Sequence, residues 1–245
     1  LKVSRVAASR SPSKLYLEEG SSIKVEDAII ALIIKSANDV ATVISEEISG
    51  SEREFAKLMT KYAKDLGMSN TTFKNASGLP NRAQLTTARD IYKLSYALIK
   101  NFPEEYKLFS QTSFKWKGKV YKTHNKLMLK YEGADGIKTG YIKASGFQLA
   151  FSAVRKNKRV IGVYFGGDTG KQRNDRLKFY MDTAFKKLNI ENSIVKKVKI
   201  TKDSKKQNSV NKNNYSIVVG TFKYRKNAEK QIKLIKSKYP VTTNS

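Results

Sequence analysis

The sequence of 245 residues contains no cysteine and only one histidine, His124. The missing cysteines exclude a disulfide scaffold, although they leave the cellular compartment open. Without a second histidine or any cysteine, the usual zinc ligand sets cannot be assembled, so we expect neither a metal site nor a cofactor. No apolar run is long enough for a transmembrane helix, which excludes a membrane-spanning segment within the sequence.

Acidic residues are also scarce, because 21 Asp and Glu stand against 48 Lys and Arg, giving a formal net charge of +27. Residues 1–188 carry +16 and residues 189–245 carry +11. Such an excess favours anionic partners. However, the lysines are spread through every segment, with no aromatic stacking platform and no helix-turn-helix pattern. We therefore expect no nucleic acid among the partners.

Two short motifs carry the chemical signal. Lys138-Thr139-Gly140 lies 102 residues after Ser36-Ala37-Asn38. Composition alone predicts only about 0.13 copies of Lys-Thr-Gly, but about 1.5 copies of Ser-x-Asn. The related pattern Ser-x-x-Lys has little value without structural context, because it begins at four serines: Ser11, Ser21, Ser193 and Ser209.

The surroundings of Ser36 and Asn38 predict a tight connection between two helices. The first is predicted to be a buried helix from residue 25, with one apolar face formed by Val25, Ala28, Ile29, Leu32 and Ile33. Polar residues then interrupt the pattern, Asn38 or Asp39 can cap a second helix, and that helix continues to Gly50. A helix-capping turn without a catalytic role remains the alternative.

Lys-Thr-Gly is predicted to lie on or beside a strand edge. Two short apolar runs follow it, at 147–154 and 160–165, and they indicate adjacent antiparallel strands with a turn at 155–158. At such an edge the lysine and threonine can face a substrate carboxylate, while Gly140 lets the substrate backbone approach. The alternative is an exposed lysine before a turn.

Longer stretches extend the signal over residues 2–188: SRVAASRSPSKLYLEEG (4–20), ALIIKSANDVA (31–41), NASGLPN (75–81), TTARDIYKLS (86–95), THNKLM (123–128) and GADGIKTGYIKASGFQLAFSA (133–153). With them the chain resembles a low-molecular-mass penicillin-binding protein, a serine D-alanyl-D-alanine carboxypeptidase of the peptidase S11 type. The resemblance implies an α/β (α+β) fold like that of the serine β-lactamases and penicillin-binding transpeptidases, with an antiparallel sheet packed by helices.

The resemblance also implies a function in the cell envelope, in the periplasm or another extracytoplasmic space. The expected reaction removes the terminal D-alanine of peptidoglycan pentapeptides through an acyl-enzyme. Expected partners are peptidoglycan peptide stems and glycan strands, with β-lactam antibiotics as inhibitors. A non-catalytic envelope protein that binds peptidoglycan, and a serine β-lactamase, remain the alternatives.

The same resemblance assigns expected roles to individual residues. Ser36 resembles the serine that relays a proton, and Asn38 resembles the residue that orients the bound peptide amide. The residues that resemble the substrate-binding groups are Lys138, Thr139 and Gly140. Arg173 matches an arginine that some members place near the active site, but it could equally be a surface arginine paired with Asp168 or Asp175.

The resemblance also bears on two residues outside the motifs, Tyr141 and His124. Tyr141 stands where some relatives carry histidine. His124 is expected to orient the loop near the site.

The nucleophile pattern of the family would lie upstream of the stretch that contains Ala7 and Ala8. A leucine start and the lack of a signal peptide therefore predict an N-terminally incomplete product that is inactive alone, although membrane association of an intact parent stays open. Ser11-Pro12-Ser13-Lys14 fits the pattern Ser-x-x-Lys, but its neighbours match a later segment of the family.

The end of the sequence changes in character. Residues 189–214 are predicted to form a basic flexible linker, in which 192–201 could be the remnant of a small β domain. A strand signal at 215–222 and a helix signal at 227–238 then resemble the first half of a SPOR module, which binds peptidoglycan. Residues 215–245 are thus a partial SPOR-like module, or else a small βα appendage.

Overall fold

The computed structural model describes residues 1–190 and the backbone of the strand 216–219. The helices of these residues are α1 (Arg5–Ala8), α2 (Val25–Lys35), α3 (Asn38–Ser49), α4 (Glu52–Asp65), α5 (Ala88–Asn101), α6 (Pro103–Tyr106) and α7 (Gly170–Lys187), with a 3-10 turn at Lys107–Ser110. The strands are β1 (Ser113–Trp116), β2 (Lys119–Lys122), β3 (Ala134–Ile142), β4 (Gly146–Arg155), β5 (Lys158–Gly167) and β6 (Ser216–Val219). In this part of the chain, each helix is too short or too polar to span a lipid bilayer.

The main sheet has the strand order β3-β4-β5-β6. Strands β3, β4 and β5 are antiparallel to one another, and β6 pairs with β5 in parallel. Lys156 and Asn157, which join β4 to β5, both have positive φ, as a two-residue type I′ hairpin turn requires. The predicted strand pair, its turn and the antiparallel sheet packed by helices are confirmed.

Side chains on alternate positions of β4 and β5 face two different helical layers. One face packs against α7 in a cluster that includes Leu149, Phe151, Val160, Leu177, Met181 and Phe185. The other face packs against α5 and α6 and includes Tyr106, Ile137, Ala150, Ile161 and Val163. Helix α7 approaches the sheet so closely that a Cβ at Gly162 would lie 2.8 Å from the side chains of Leu177 and Met181. The strand positions with period two therefore make the sheet the centre of the fold.

Helices α2 and α3 form a third layer with α1 and the β1–β2 hairpin. The two predicted helices and the break between them are confirmed, but the predicted cap is wrong, because Ala37 occupies the N-cap position and no side chain caps α3. The predicted buried face of α2 is also partly wrong, since Val25 is 49% exposed and Ile29 is 38% exposed. Of the predicted face Ala28 is buried, and beside it the helix turns Ala31 and Ile34 inward.

The carboxylate of Asp39 anchors the loop 11–17 to the start of α3. It is fully buried and accepts hydrogen bonds from the backbone N–H groups of Leu15 and Leu17 at 3.1 Å and of Val40 at 2.9 Å. Asn38 strengthens the same contact, because its backbone N–H donates to Ser13 O at 2.7 Å. The loop is therefore held against the connection that carries Ser36.

The C-terminal expectations fall mostly outside the described residues. A strand is present at Ser216–Val219, within the predicted 215–222. Of the predicted linker 189–214, only Asn189 and Ile190 are described, and Ile190 is buried against the α7 side of the sheet. The predicted helix at 227–238 and the possible β remnant at 192–201 lie outside the described residues, as does the rest of the segment 215–245 that is predicted to be a partial SPOR-like module.

Replacement of Asp39 tests the anchor. Asp39→Ala leaves buried N–H groups of the loop without acceptors, so we expect a loss of about 2 to 4 kcal/mol in the free energy of unfolding, measured by urea denaturation. Asp65→Ala removes an exposed carboxylate at the end of α4 and should change the stability by less than about 0.5 kcal/mol. Equal stability of the two variants would contradict the anchoring role.

Candidate active site

Ser36 occupies a backbone conformation that serine rarely adopts. It ends α2 with φ 54° and ψ 50°, in the left-handed region, and its N–H donates to Leu32 O. This region costs a residue with a Cβ roughly 1 to 2 kcal/mol and usually holds glycine or asparagine. The turn itself therefore does not require serine, and the strain points to a use for the hydroxyl group.

Lys138 brings the second motif to this hydroxyl. It lies on β3, at the edge of the main sheet, opposite Ala150 of β4. Its Nζ donates hydrogen bonds to Ser36 Oγ and, at 3.1 Å, to the carbonyl oxygen of Thr139. The two motifs, 102 residues apart, thus meet where the helical layer contacts the sheet edge.

The Lys138 ammonium has no carboxylate partner among residues 1–190, since its hydrogen bonds go to a hydroxyl and a carbonyl oxygen. Burial lowers the pKa of Lys138 to about 8. At neutral pH most of the molecules still carry the charge, so the site presents a desolvated cation beside a serine hydroxyl. Such a cation attracts a carboxylate more strongly than one in water does.

Asn38 is nearly buried, with 7% of its surface exposed. Its Nδ2 donates to Ser11 O at 2.9 Å, which leaves Oδ1 without a hydrogen bond from any described residue. An amide oxygen held in this way can accept a hydrogen bond from a peptide N–H. The geometry therefore supplies an acceptor within two residues of Ser36.

Thr139 and Gly140 complete the motif on the exposed end of β3. The Thr139 hydroxyl makes no hydrogen bond with a described residue, and Gly140 is exposed. A Cβ at Gly140 would meet only the Gln148 side chain at 3.6 Å, which is an ordinary contact. The fold does not require glycine there. The missing side chain instead leaves room for a ligand backbone to approach the exposed side of the strand.

Arg173 lies behind this end of the strand. Its Nη1 donates to the carbonyl oxygen of Gln148, the β4 residue that pairs with Gly140, and its Nε and Nη2 donate to Asn174 Oδ1. The alternative of a surface arginine paired with Asp168 or Asp175 is wrong, because Arg173 is 5% exposed and contacts β4 instead. Desolvation lowers the pKa of Arg173.

His124 and Tyr141 flank the site. Desolvation lowers the pKa of His124, and the positive charges of Lys138 and Lys35 lower it further. Tyr141 is 59% exposed, with its ring 4.3 Å from that of Phe147. No group of residues within the described ranges could hold a metal ion.

The two described matches to Ser-x-x-Lys form no serine–lysine pair. Lys14 Nζ donates to Ala8 O, and Ser11 is exposed. Ser21 Oγ donates to Glu18 O rather than contacting Lys24. The matches at Ser193 and Ser209 lie outside the described residues. Among residues 1–190, the serine–lysine pair of the site is Ser36 with Lys138.

Sequence reasoning missed two buried residues that hold the site together. Asp39 anchors the loop 11–17, as described above. Asn125 is also buried, and its Nδ2 donates to Gly136 O at 3.4 Å, which ties the segment containing His124 to the start of β3. The only sequence signal for Asn125 was its place in the stretch THNKLM, because its partner lies 11 residues away.

The chain is similar to several known proteins. The sequence profile of the Peptidase_S11 family, described as D-alanyl-D-alanine carboxypeptidase, matches residues 1–169. The chain is 36% identical to the D-alanyl-D-alanine carboxypeptidase DacF of Bacillus subtilis over 216 residues, covering 84% of this chain and 55% of DacF. The chain spans about half the length of the curated relatives it matches.

Solved structures are similar as well. Penicillin-binding protein 6B from Escherichia coli is 32% identical, with a TM-score of 0.66, over 72% of this chain and 58% of that protein. Penicillin-binding protein D2 from Listeria monocytogenes, in its ampicillin-bound form, is 29% identical, with a TM-score of 0.62, over 75% of this chain and 72% of that protein.

The lowered pKa of Lys138 makes a prediction about stability and pH. The folded state releases the Lys138 proton near pH 8, whereas the unfolded state holds it to about pH 10.5, so the unfolded state binds more protons between these values. Stability should therefore rise with pH across this window through Lys138. Lys138→Met removes this contribution, so the free energy of unfolding of the variant in urea, relative to that of the wild type, should fall from about pH 7 to about pH 10.

The control for this measurement is Lys143→Met, because Lys143 is exposed in the turn after β3. Its difference from the wild type should stay constant over the same pH range. A constant difference for Lys138→Met as well would show that Lys138 titrates like an exposed lysine.

Proposed function

Because the chain belongs to the Peptidase_S11 family of D-alanyl-D-alanine carboxypeptidases, we propose that it serves the serine-type removal of terminal D-alanine from peptidoglycan stem peptides. The observation that carries this proposal is the contact of Lys138 Nζ with Ser36 Oγ. It puts a cation, a hydroxyl group and the Asn38 amide oxygen at one edge of the sheet. These groups match the needs of a peptide that ends in a free carboxylate.

In the proposed reaction each residue has one task. The Lys138 ammonium binds the terminal carboxylate of the peptide, and the Thr139 hydroxyl donates to the same group. Asn38 Oδ1 accepts the N–H of the penultimate peptide unit. When a nucleophilic serine attacks the carbonyl carbon between the two D-alanines, it gives up its hydroxyl proton, the C–N bond breaks, and the Ser36 hydroxyl relays a proton to the departing amine. Water then hydrolyses the acyl-enzyme and restores the serine.

β-Lactam antibiotics are the proposed inhibitors of the same site. The Listeria monocytogenes relative was solved in an ampicillin-bound form. Penicillins carry a carboxylate beside the reactive amide, so they present the same charge to Lys138 as a D-alanyl-D-alanine end does. This shared carboxylate supports a common binding position.

Binding of peptidoglycan without catalysis is the second candidate function. It is favoured by the arrangement of Ser11 and Ser21, neither of which contacts the lysine of its own Ser-x-x-Lys pattern in the described residues. Under this reading, Lys138, Thr139 and Asn38 still hold the peptide. The two candidates differ only in whether a covalent acyl-enzyme forms.

We place this function in the cell envelope, outside the cytoplasm, where peptidoglycan lies. Residues 189–245, with a charge of +11, are proposed to hold the protein near the anionic wall, with 215–245 as a partial SPOR-like contributor. A role in cell shape would follow from trimming the stem peptides. Arg173 is proposed to support the carboxylate site through β4, opposite Gly140.

Peptide binding tests the proposed function directly. A dansylated peptide that ends in D-alanyl-D-alanine should bind the chain, and Lys138→Ala should weaken binding by about 10- to 100-fold, because it removes a charge-assisted hydrogen bond. Lys143→Ala is the matched control and should bind like the wild type. Unchanged affinity of a folded Lys138→Ala variant would remove Lys138 from the binding site.

Penicillin labelling tests whether residues of this chain alone supply the nucleophile of the proposed reaction. Because no Ser-x-x-Lys pair is assembled in residues 1–190, intact-mass spectrometry after incubation with benzylpenicillin should show unmodified protein. Reversible competition between benzylpenicillin and the dansylated peptide should still occur. A stable penicilloyl adduct that maps to Ser11 or Ser36 would contradict this expectation.

A further inference from the structure

The β1–β2 hairpin holds an aromatic ring that contacts two lysines, one of which directly precedes Ser36 of the proposed active site. Lys35 Nζ and Lys119 Nζ each lie 5.4 Å from the centre of the Tyr121 ring. Lys35 is the last residue of α2, directly before Ser36. The hairpin turn at Lys117 and Gly118, both with positive φ, fixes Lys119 and Tyr121 on one face of β2.

Tyr121 is itself fixed in position. Its ring stacks with Phe114 of β1 at 6.5 Å, and Phe114 belongs to the core that contains α2 and α3. The place of both lysines relative to Ser36 therefore follows from packing of the hairpin against α2. We name Lys35, Lys119 and Tyr121 the basic rim.

The lysines of the basic rim have no carboxylate partner in residues 1–190. Other lysines of that range do form ion pairs, namely Lys57, Lys93, Lys107, Lys117, Lys171 and Lys178. Lys35 is half-buried, yet the partner of its ammonium is the Tyr121 ring. An aromatic ring attracts a cation more weakly than a carboxylate does, so an added anion would be stabilised beside these two lysines.

We propose that the basic rim binds a second carboxylate of the substrate, a free side-chain carboxylate on the stem peptide, while Lys138 binds the terminal one. The assignment of the ligand as a stem peptide rests on the proposed function. A peptide fits because Lys35 directly precedes Ser36, and Ser36 contacts Lys138. One short peptide with two carboxylates can therefore reach both the basic rim and Lys138. The structure thus assigns this chain a preference for acidic stem peptides over their amidated forms.

The test uses the full chain and three dansylated peptides. The first is alanyl-glutamyl-lysyl-D-alanyl-D-alanine, the second is its glutamine twin, and the third keeps the glutamate but lacks the D-alanyl-D-alanine end and carries a C-terminal amide. At low salt, where screening is weak, the first peptide should bind about 10-fold more tightly than the second, as measured by fluorescence anisotropy.

Two double variants with equal loss of charge isolate the rim. In the variant with Lys35→Gln and Lys119→Gln, the preference for the glutamate peptide should fall to within about 2-fold, with the affinity of the glutamine peptide unchanged. The control carries Lys115→Gln and Lys122→Gln, which lie on the opposite face of the same hairpin, and should keep the preference. Lys119→Gln alone changes only an exposed residue and should lose part of the preference, even if the double variant proves unstable.

The outcomes separate the inference from the proposed function. Equal binding of the first two peptides to the wild type, or an equal loss of preference in both double variants, would overturn the basic rim as a subsite. If the third peptide binds as tightly as the first and still depends on Lys35 and Lys119, the rim stands and the terminal carboxylate site at Lys138 fails.

Discussion

The rest of the site depends on one constraint, which is that the Lys138 ammonium is held away from water without a carboxylate to neutralise it. Its hydrogen bonds to Ser36 Oγ and to the carbonyl oxygen of Thr139 use two of its N–H donors but do not neutralise its positive charge. Removal of a cation from water is costly, and the lowered pKa of Lys138 expresses that cost. A ligand carboxylate regains part of this energy, so the unfavourable burial becomes affinity for an anion at one position.

Keeping Lys138 and Ser36 together requires rigid support from both layers. On the sheet side, Gly136 lets Tyr106 approach so closely that a Cβ there would lie 2.7 Å from Tyr106 Oη, which fixes the start of β3 against α6. On the helical side, the Asp39 carboxylate holds the loop 11–17 against α3, next to the left-handed Ser36. The strained serine persists because these buried contacts determine the backbone around it.

Local patterns in the sequence predicted α2, α3, β4 and β5, whereas contacts between residues distant in the chain could not be predicted from them. The helices around Ser36 and the strands β4 and β5 follow from apolar spacing, which depends only on near neighbours. The buried face of α2 was partly wrong, because spacing shows that a helix has an apolar side but not which of several apolar residues its neighbours cover. Asp39 was read as a cap, since its partners Leu15 and Leu17 lie more than 20 residues away. The meeting of Ser36 and Lys138 could be expected only from resemblance to a family.

The most direct test of the central claim observes the Lys138 ammonium itself. In protein labelled with ¹⁵N at the lysine side chains, the Nζ resonance of Lys138 is identified by its disappearance in Lys138→Arg. Addition of a peptide that ends in D-alanyl-D-alanine should shift this resonance and raise the pKa of Lys138 from its value of about 8, because a bound carboxylate favours the charged form. A peptide that binds while the Lys138 resonance and its pKa stay unchanged would contradict the account.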